Sequence, residues 1–327
     1  MLPERGPALL EAPATFPAVA RGVPSVHAVV LNYRTPTLTA TAVERLQQSA
    51  FPQDDLRIWV VDNGSADGSV EFIRAAHPDV PVVAAPDNLG FAGGNNLALR
   101  RILAELPVGA DRAATFVLLL NSDTEVEPHA LPTLVDFMHR HPEAGVVGPK
   151  LVLPDGSLDL ACRRGFPTPL RAFWKLTGMS KLFPNNPRFA GYNLTHLDEN
   201  ALTEVDSVVG ACMLVRVAAI DQAGLLDEDF FMYGEDLDWS YRIKQHGWKV
   251  YYQPAALVHH VKGASSRRRP YRMIYEFYRA MWLFHRKHYA KQSPRLLNWV
   301  VLAGIVARWG IAVAVNTLRP AERIRAG

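Results

Sequence analysis

Three apolar runs, each stopping at a polar residue, constrain this chain more than any other feature. Residues 26–31 end at Asn32, residues 56–61 at Asp62, and residues 115–120 at Asn121-Ser122-Asp123. A fourth run covers 80–84. Helical spacing of apolar residues fills the gaps at 39–49, 70–76 and 95–105. Continuous apolar strands alternating with helices require a parallel sheet covered on both faces, because neither face of such a strand tolerates water. Ligands of these sheets lie beyond the carboxyl ends of the strands. Asn32, Asp62 and Asp123 are therefore the first site candidates. Any one of them reads equally well as a turn or helix-cap residue; three at successive strand ends favour a site.

The 327 residues suffice for one large or two modest domains. Cys162 and Cys212 lie in different segments, which excludes a zinc ribbon or disulfide framework and points to a reducing compartment. Residues 1–24 are rich in Ala and Pro, carry Glu4 and Glu11, and lack a long apolar core, so they read as a loose extension rather than a signal peptide.

Further along, Asn88-Leu89-Gly90-Phe91-Ala92-Gly93-Gly94-Asn95-Asn96 reads as a glycine-containing loop before a helix beginning at Asn95. Such a loop lets backbone approach a phosphate or sugar, although it is neither GxGxxG nor a Walker motif. Residues 154–205 are broken by prolines and sprinkled with Arg163, Arg164, Arg171 and Lys175, a long irregular excursion suited to substrate contacts. A strand over 208–215 is interrupted by Gly210-Ala211, where another group can approach closely. Glu235, Asp236 and Asp238 follow Phe230, Phe231 and Tyr233 at the start of a helix. They are either an acidic first turn complementing the helix dipole or carboxylates desolvated against aromatics, as a general base requires. His259-His260 at a strand end is either structural or metal-binding.

The last segment differs in character. Residues 1–261 carry 21 Lys/Arg against 30 Asp/Glu, whereas residues 262–327 carry 14 against 2. A basic tail on an acidic body points to an anionic surface as partner. Tyr271, Tyr275, Tyr278, Trp282, His285 and Tyr289 recur at helical spacing, surrounded by Arg267–Arg269, Arg272, Arg279, Arg286 and Lys287. Residues 296–318 are almost wholly apolar. Arg308 in their middle would cost about 2.5–3.5 kcal/mol in a spanning helix. Asn298, Arg308, Asn316 and Arg319 project onto one arc, which favours a helix lying in the membrane interface with that arc toward the headgroups. The alternative is packing against the core or, in a homodimer, against a second copy. Nucleic acid is excluded as a partner because the basic region adjoins a lipid-like apolar face.

Together these motifs resemble family 2 glycosyltransferases, in order and at fitting distances over about residues 25–290: the strand ending Asn32-Tyr33, Asp62-Asn63-Gly64-Ser65, the 88–96 segment, Asn121-Ser122-Asp123, 209–216, 224–238, and His260 with Gly263 and Ser265. Bacterial rhamnosyltransferases of cell-wall or surface-polysaccharide assembly are the most similar subgroup. The resemblance implies a GT-A fold, that is, a Rossmann-like, mostly parallel central sheet with helices on both faces. It also implies an inverting, metal-dependent hexosyl transfer. The donor would be a nucleotide sugar, dTDP-rhamnose or else a UDP-sugar, and the acceptor a polyprenyl-diphosphate-linked saccharide. By the same resemblance Asp236 is the general base, and Asp123 and His260 hold Mg²⁺ or Mn²⁺. Asn32, Tyr33, Asp62, Asn88, Gly90, Phe91, Asn95 and Ser122 contact the donor, while Glu235, Asp238, Gly210 and Arg163 support the site or the acceptor. Asn121 stands where the first carboxylate of the DxD motif is expected. A degenerate, non-catalytic nucleotide-sugar-binding protein is the competing class. The expected layout is an extension (1–24), a catalytic domain (25–266, dividing near 125) and a helical membrane-associating tail (267–327). The expected location is the cytoplasmic face of the cell membrane.

Overall fold

The structure, a computed structural model, describes residues 22–106, 111–261 and 270–318. The expected N-terminal extension, the Gly263 and Ser265 positions, the Arg267–Arg269 cluster, Arg319 and the 266/267 boundary fall outside them. In chain order the elements are β1 (Ser25–Asn32), α1 (Pro36–Gln47), β2 (Leu56–Asp62), α2 (Ser69–Ala76), β3 (Val82–Ala84), α3 (Gly90–Glu105), β4 (Thr115–Asn121) and β5 (Thr124–Val126). There follow α4 (Ala130–Arg140), β6 (Ala144–Val152), α5 (Pro169–Leu176), α6 (Met179–Leu182), α7 (Pro187–Ala190), β7 (Thr203–Val205) and β8 (Cys212–Arg216). The last are α8 (Val217–Ala223), α9 (Glu235–Gln245), β9 (Lys249–His260), α10 (Pro270–His288) and α11 (Arg295–Leu318).

The strands form one sheet in the order β3-β2-β1-β4-β8-β6-β9-β5, with β7 on β9. The expected parallel unit is its first half, where β3, β2, β1 and β4 run the same way. Beyond it the sheet is mixed: β8 is antiparallel to both β4 and β6, and β6 is parallel to β9. Asn32 pairs with Asp62 in register, so the polar ends of β1 and β2 share one edge. Val29, Val30, Val60, Val117 and Leu119 are fully buried, as continuous apolar strands require.

Three elements depart from the sequence expectation. Residues 208–211 precede β8 rather than belonging to it. The two extended pieces expected around 249–258 are one strand, β9, whose register against β6 shifts between Gln253 and Leu257. Pro254 sits in that shift because it cannot donate to a ladder. Finally, α3 begins at Gly90, so the glycines are the first turn of the helix and not a loop before it. Gly90 has φ +75°, and a Cβ there would lie 2.1 Å from the Phe231 carbonyl oxygen. The Phe91 N–H donates to that same oxygen at 2.7 Å. The missing side chain thus lets α3 dock onto the segment that carries the acidic residues.

The tail is not separate from the body. Ala280, Leu283, Phe284 and Tyr289 share a core with Phe166, Phe230, Leu237 and Tyr241, so α10 packs on α9. The buried Asp238 carboxylate accepts from His288 Nε2 at 2.7 Å and from Arg242 at 2.8 Å. α11 returns antiparallel along α10, as Tyr271 bonds Thr317 at 3.3 Å and His285 bonds Asn298 at 2.8 Å. This overturns the expected orientation of the polar arc. Asn298 and the buried Asn316 turn toward α10, where Asn298 also donates to the Ala290 carbonyl at 2.9 Å. Arg308 borders a small cavity between the helices with Tyr278 and Asn316. The Asn298 amide thereby finds partners in His285 of α10 and the turn after it that hydrocarbon would deny it. The face left exposed carries Leu296, Trp299, Val300, Val306, Ile311 and Leu318. At 24 residues and mean hydropathy 1.8, α11 is long and apolar enough to cross a membrane.

Candidate active site

One cavity of about 810 Å³ opens at the carboxyl ends of β1 and β4 and extends to α5 and α10. Three groups of residues line it. Tyr33, Arg34, Asn63, Asn88, Phe91 and Ser122 form the strand-end wall. Asp123, Asp159 and His260 form a second cluster. Gly210, Glu235, Asp236 and Arg164 form a third.

The strand-end wall is built from short polar links. The Asn32 amide donates to Asp62 Oδ1 at 2.6 Å, and the Ser65 N–H donates to Asp62 Oδ2 at 3.1 Å. Both Asn32 and Asp62 are buried and neither lines the cavity; they hold the ends of β1 and β2 together. Asn88 Oδ1 accepts from the Gly90 N–H at 2.9 Å and from Asn63 Nδ2 at 3.2 Å, while Asn63 Nδ2 also donates to the Gly90 carbonyl at 2.9 Å. Asn63 therefore aligns the start of α3 and faces the cavity, although sequence reading placed it only in a turn. Asn95 donates to the Phe91 carbonyl at 2.9 Å inside α3 and does not face the cavity. Ser122 and Thr35 share a hydrogen bond at 2.9 Å.

The sequence marked His260 and Asp123 but gave no sign of Asp159. His260 Nδ1 bonds Asp159 Oδ2 at 2.9 Å, and its Nε2 lies 3.5 Å from Asp123 Oδ1. Burial works against the imidazolium, but the two carboxylates overcome it and raise the His260 pKa to about 9. β5 pairs with β9 so that Thr124 sits opposite His260, which brings the chain after β4 beside the end of β9. Among the described residues no group of three or more His, Cys, Asp or Glu is arranged to hold a metal. What is present is one carboxylate and one imidazole, with Asp159 orienting the ring from its other nitrogen, as outer-shell carboxylates do for metal-bound histidines. A carboxylate beside an imidazole fits a Mn²⁺-like ion, which accepts nitrogen as well as oxygen, better than Mg²⁺, which takes oxygen ligands.

The third group centres on Asp236. The chain enters α9 through Tyr233 at φ +68° and Gly234 at φ +84°. For tyrosine this is a strained conformation, of the kind that persists where surrounding contacts impose it. The Asp236 carboxylate accepts the Gly210 N–H at 3.0 Å and pairs with Arg164 at 2.8 Å; both side chains are under 10 % exposed. A Cβ at Gly210 would lie 2.9 Å from the Phe91 ring, so a larger residue there would displace that ring. Burial depresses the Arg164 guanidinium's basicity, but Asp236 and Tyr192 more than restore it, so it stays charged. The same segment corrects the expectation for Arg163. Arg164 bridges Ser207 in extended conformation, and neighbours on extended backbone point opposite ways. Arg163 accordingly turns from the cavity, donates to the carbonyls of Asp198 and Leu197 at 2.6 and 2.8 Å, and lies over the Tyr252 ring. Asp238, likewise expected near the acceptor, faces α10 instead.

Glu235 is buried and lines the cavity, and its Oε2 has no hydrogen-bond partner among the described residues. Burial, then the neighbouring Asp236 charge, raise its pKa to about 8. Because the folded pKa lies above the unfolded one, Glu235 itself costs nothing below about pH 4.5 and destabilises increasingly as pH rises toward 8. Glu235→Gln, neutral at every pH, should therefore melt like the parent at pH 4.5 and at least about 2 °C higher at pH 8, the shift expected from ~1 kcal/mol in a chain of this size. Melting curves at the two pH values check this; parallel loss of stability in both proteins would disprove a neutral Glu235.

Comparisons with known proteins agree with this architecture. The family described as glycosyltransferase-like family 2 matches residues 24–274. The N-acetylglucosaminyl-diphospho-decaprenol L-rhamnosyltransferase of Mycobacterium tuberculosis is 28% identical over 271 residues, 81% of this chain and 86% of that protein. A low-salt glycan biosynthesis hexosyltransferase of Haloferax volcanii is 24% identical, with 86% of this chain and 81% of that protein covered. Among solved structures, a mannosyltransferase of Pyrobaculum calidifontis in complex with GDP-Man and Mn²⁺ superimposes with a TM-score of 0.52 at 16% identity, covering 97% of this chain and 82% of that one. With three-quarters of its length matched and the strand-end cavity in place, the chain belongs to the glycosyltransferase-like family 2 and has the GT-A-like mixed α/β fold.

Proposed function

We propose that the protein transfers a sugar, rhamnose from dTDP-rhamnose, to a hydroxyl of a polyprenyl-diphosphate-linked saccharide, with inversion at the anomeric carbon. The observation that carries this reading is the Asp236 carboxylate, fixed by Arg164 and the Gly210 N–H in the same cavity as Asp123 and His260. An acceptor hydroxyl is a poor nucleophile and needs a base within hydrogen-bond reach. Asp236 takes its proton as the oxygen attacks the face opposite the leaving diphosphate. Tyr33, Asn63, Asn88, Phe91 and Ser122 supply the nucleoside wall, and Asp62 fixes the strand ends that carry it. Asp123 and His260 would hold Mg²⁺ or Mn²⁺, which would supply positive charge to the leaving diphosphate. The acceptor class rests on the Mycobacterium tuberculosis relative, whose name gives a lipid-linked GlcNAc substrate and a rhamnosyl product.

The apolar outer face of α11 supports attachment to a membrane, where such lipids reside. The protein lacking residues 295–327 should leave the membrane fraction; unchanged partitioning would argue against this attachment. The reaction is tested by offering dTDP-rhamnose and a panel of UDP- and GDP-sugars with a GlcNAc-diphospho-prenol acceptor, and reading product configuration. Transfer from dTDP-rhamnose alone, with inversion, is the expected result. Transfer from another donor would reassign the sugar, and retention would remove Asp236 from its role as base.

A further inference from the structure

We propose that the part of the cavity between α5 and α10 holds the diphosphate and first isoprene units of the acceptor, an assignment that rests on the acceptor class proposed above. The cavity is chemically divided. Its strand-end wall is polar, whereas Ala172 and Leu176 from α5 and Met273, Phe277 and Met281 from α10 present carbon and thioether. A polar nucleotide sugar alone would leave that second wall without a partner. Methionines suit an irregular, flexible hydrocarbon chain because they adapt their shape.

Two cations stand on the same two helices. Lys175 of α5 lies 5.6 Å from the Tyr192 ring centre, and Arg272 of α10 lies 4.1 Å from that of Phe231. Both line the cavity that also contains Asp236. A sugar with its hydroxyl at Asp236 would carry its diphosphate outward, toward a wall with a positive group on each side.

A wall of carbon and thioether flanked by a cation on each helix matches a lipid diphosphate, whose charged head and apolar chain need both, and fits a protein helix less well. Leu170, Phe173, Leu182 and Phe183 near α5 and α6, and the outer residues of α11, are also exposed and apolar, as suits a protein that meets a lipid.

The probe is geranylgeranyl diphosphate, titrated into the full chain in detergent micelles by calorimetry. Wild type should bind it. Met281→Trp, which fills the passage, and Lys175→Glu, which reverses a charge, should each weaken binding by about tenfold or more, equivalent to ~1.4 kcal/mol. Both variants should bind dTDP and melt like wild type. Should Met281→Trp fail to fold, Ala172→Leu narrows the passage from α5. Geranylgeraniol and inorganic pyrophosphate separate the two halves: Lys175→Glu should weaken pyrophosphate only, and Met281→Trp the alcohol only. No binding by wild type, or equal binding by folded variants, overturns the subsite. A wild type that binds the probe yet glycosylates no prenyl-diphosphate saccharide refutes the proposed reaction and leaves the subsite standing.

Discussion

Asp236→Asn should lower glycosyl transfer by about 10²–10⁴-fold, the usual worth of a positioned general base, while nucleotide binding stays at the parental level. The amide keeps the volume of the carboxylate and still accepts the Gly210 N–H, now 3.0 Å from Oδ2. It cannot take up a proton from the acceptor hydroxyl. Nucleotide binding is expected to survive because Asp236 is held by Gly210 and Arg164 and bonds none of Tyr33, Asn63, Asn88 and Ser122. The substitution also leaves the Arg164 cation buried without its anion, so some stability is lost. Turnover must therefore be normalised to folded protein. Near-parental turnover on that basis would place the base elsewhere.

The second large effect is expected at Arg164, which sequence reading passed over in favour of Arg163. Arg164→Met keeps a long side chain but strips the cation from a pair with a 2.8 Å contact, both of whose side chains are under 10 % exposed. Removing one partner of a buried ion pair costs about 3–5 kcal/mol, because the remaining charge stays desolvated. The midpoint of urea unfolding should fall accordingly, and transfer should fall with it as Asp236 loses its orientation. Arg164→Met combined with Asp236→Asn should be less destabilised than the sum of the two single changes. A coupling energy above about 1 kcal/mol is expected for residues in direct contact. Strict additivity would show that Arg164 does not hold Asp236. Donor binding measured alongside distinguishes a positioning role from collapse of the site.

How much of this was legible in the sequence depends on the range of the interactions. The apolar runs 26–31, 56–61 and 115–120 became β1, β2 and β4, since a strand buried on both faces leaves a local composition that nothing else produces. Their polar ends, Asn32, Asp62 and Asn121–Asp123, came to one edge because parallel strands in register end together. The helix at Glu235 was equally visible, with its acidic first turn. Membership of the glycosyltransferase family could be read from the order of those motifs.

Long-range contacts decided the rest. That α3 starts at Gly90 depends on the Phe231 carbonyl, 141 positions away in the chain. The choice of Arg164 over Arg163 depends on which side of an extended segment faces Asp236. Asp159 had no local signature; it matters because β6 and β9 run side by side and bring His260 within 2.9 Å of it. The polar arc of α11 was read correctly as an arc, but its orientation was set by His285 on α10 and the Ala290 carbonyl in the turn after it. Sequence alone determined β1, β2 and β4, the helices between them and the polar groups at the strand ends, because burial and backbone period are local. Only the tertiary structure decided which polar groups meet, because a buried charge or amide takes whatever partner the packing brings within about 3 Å.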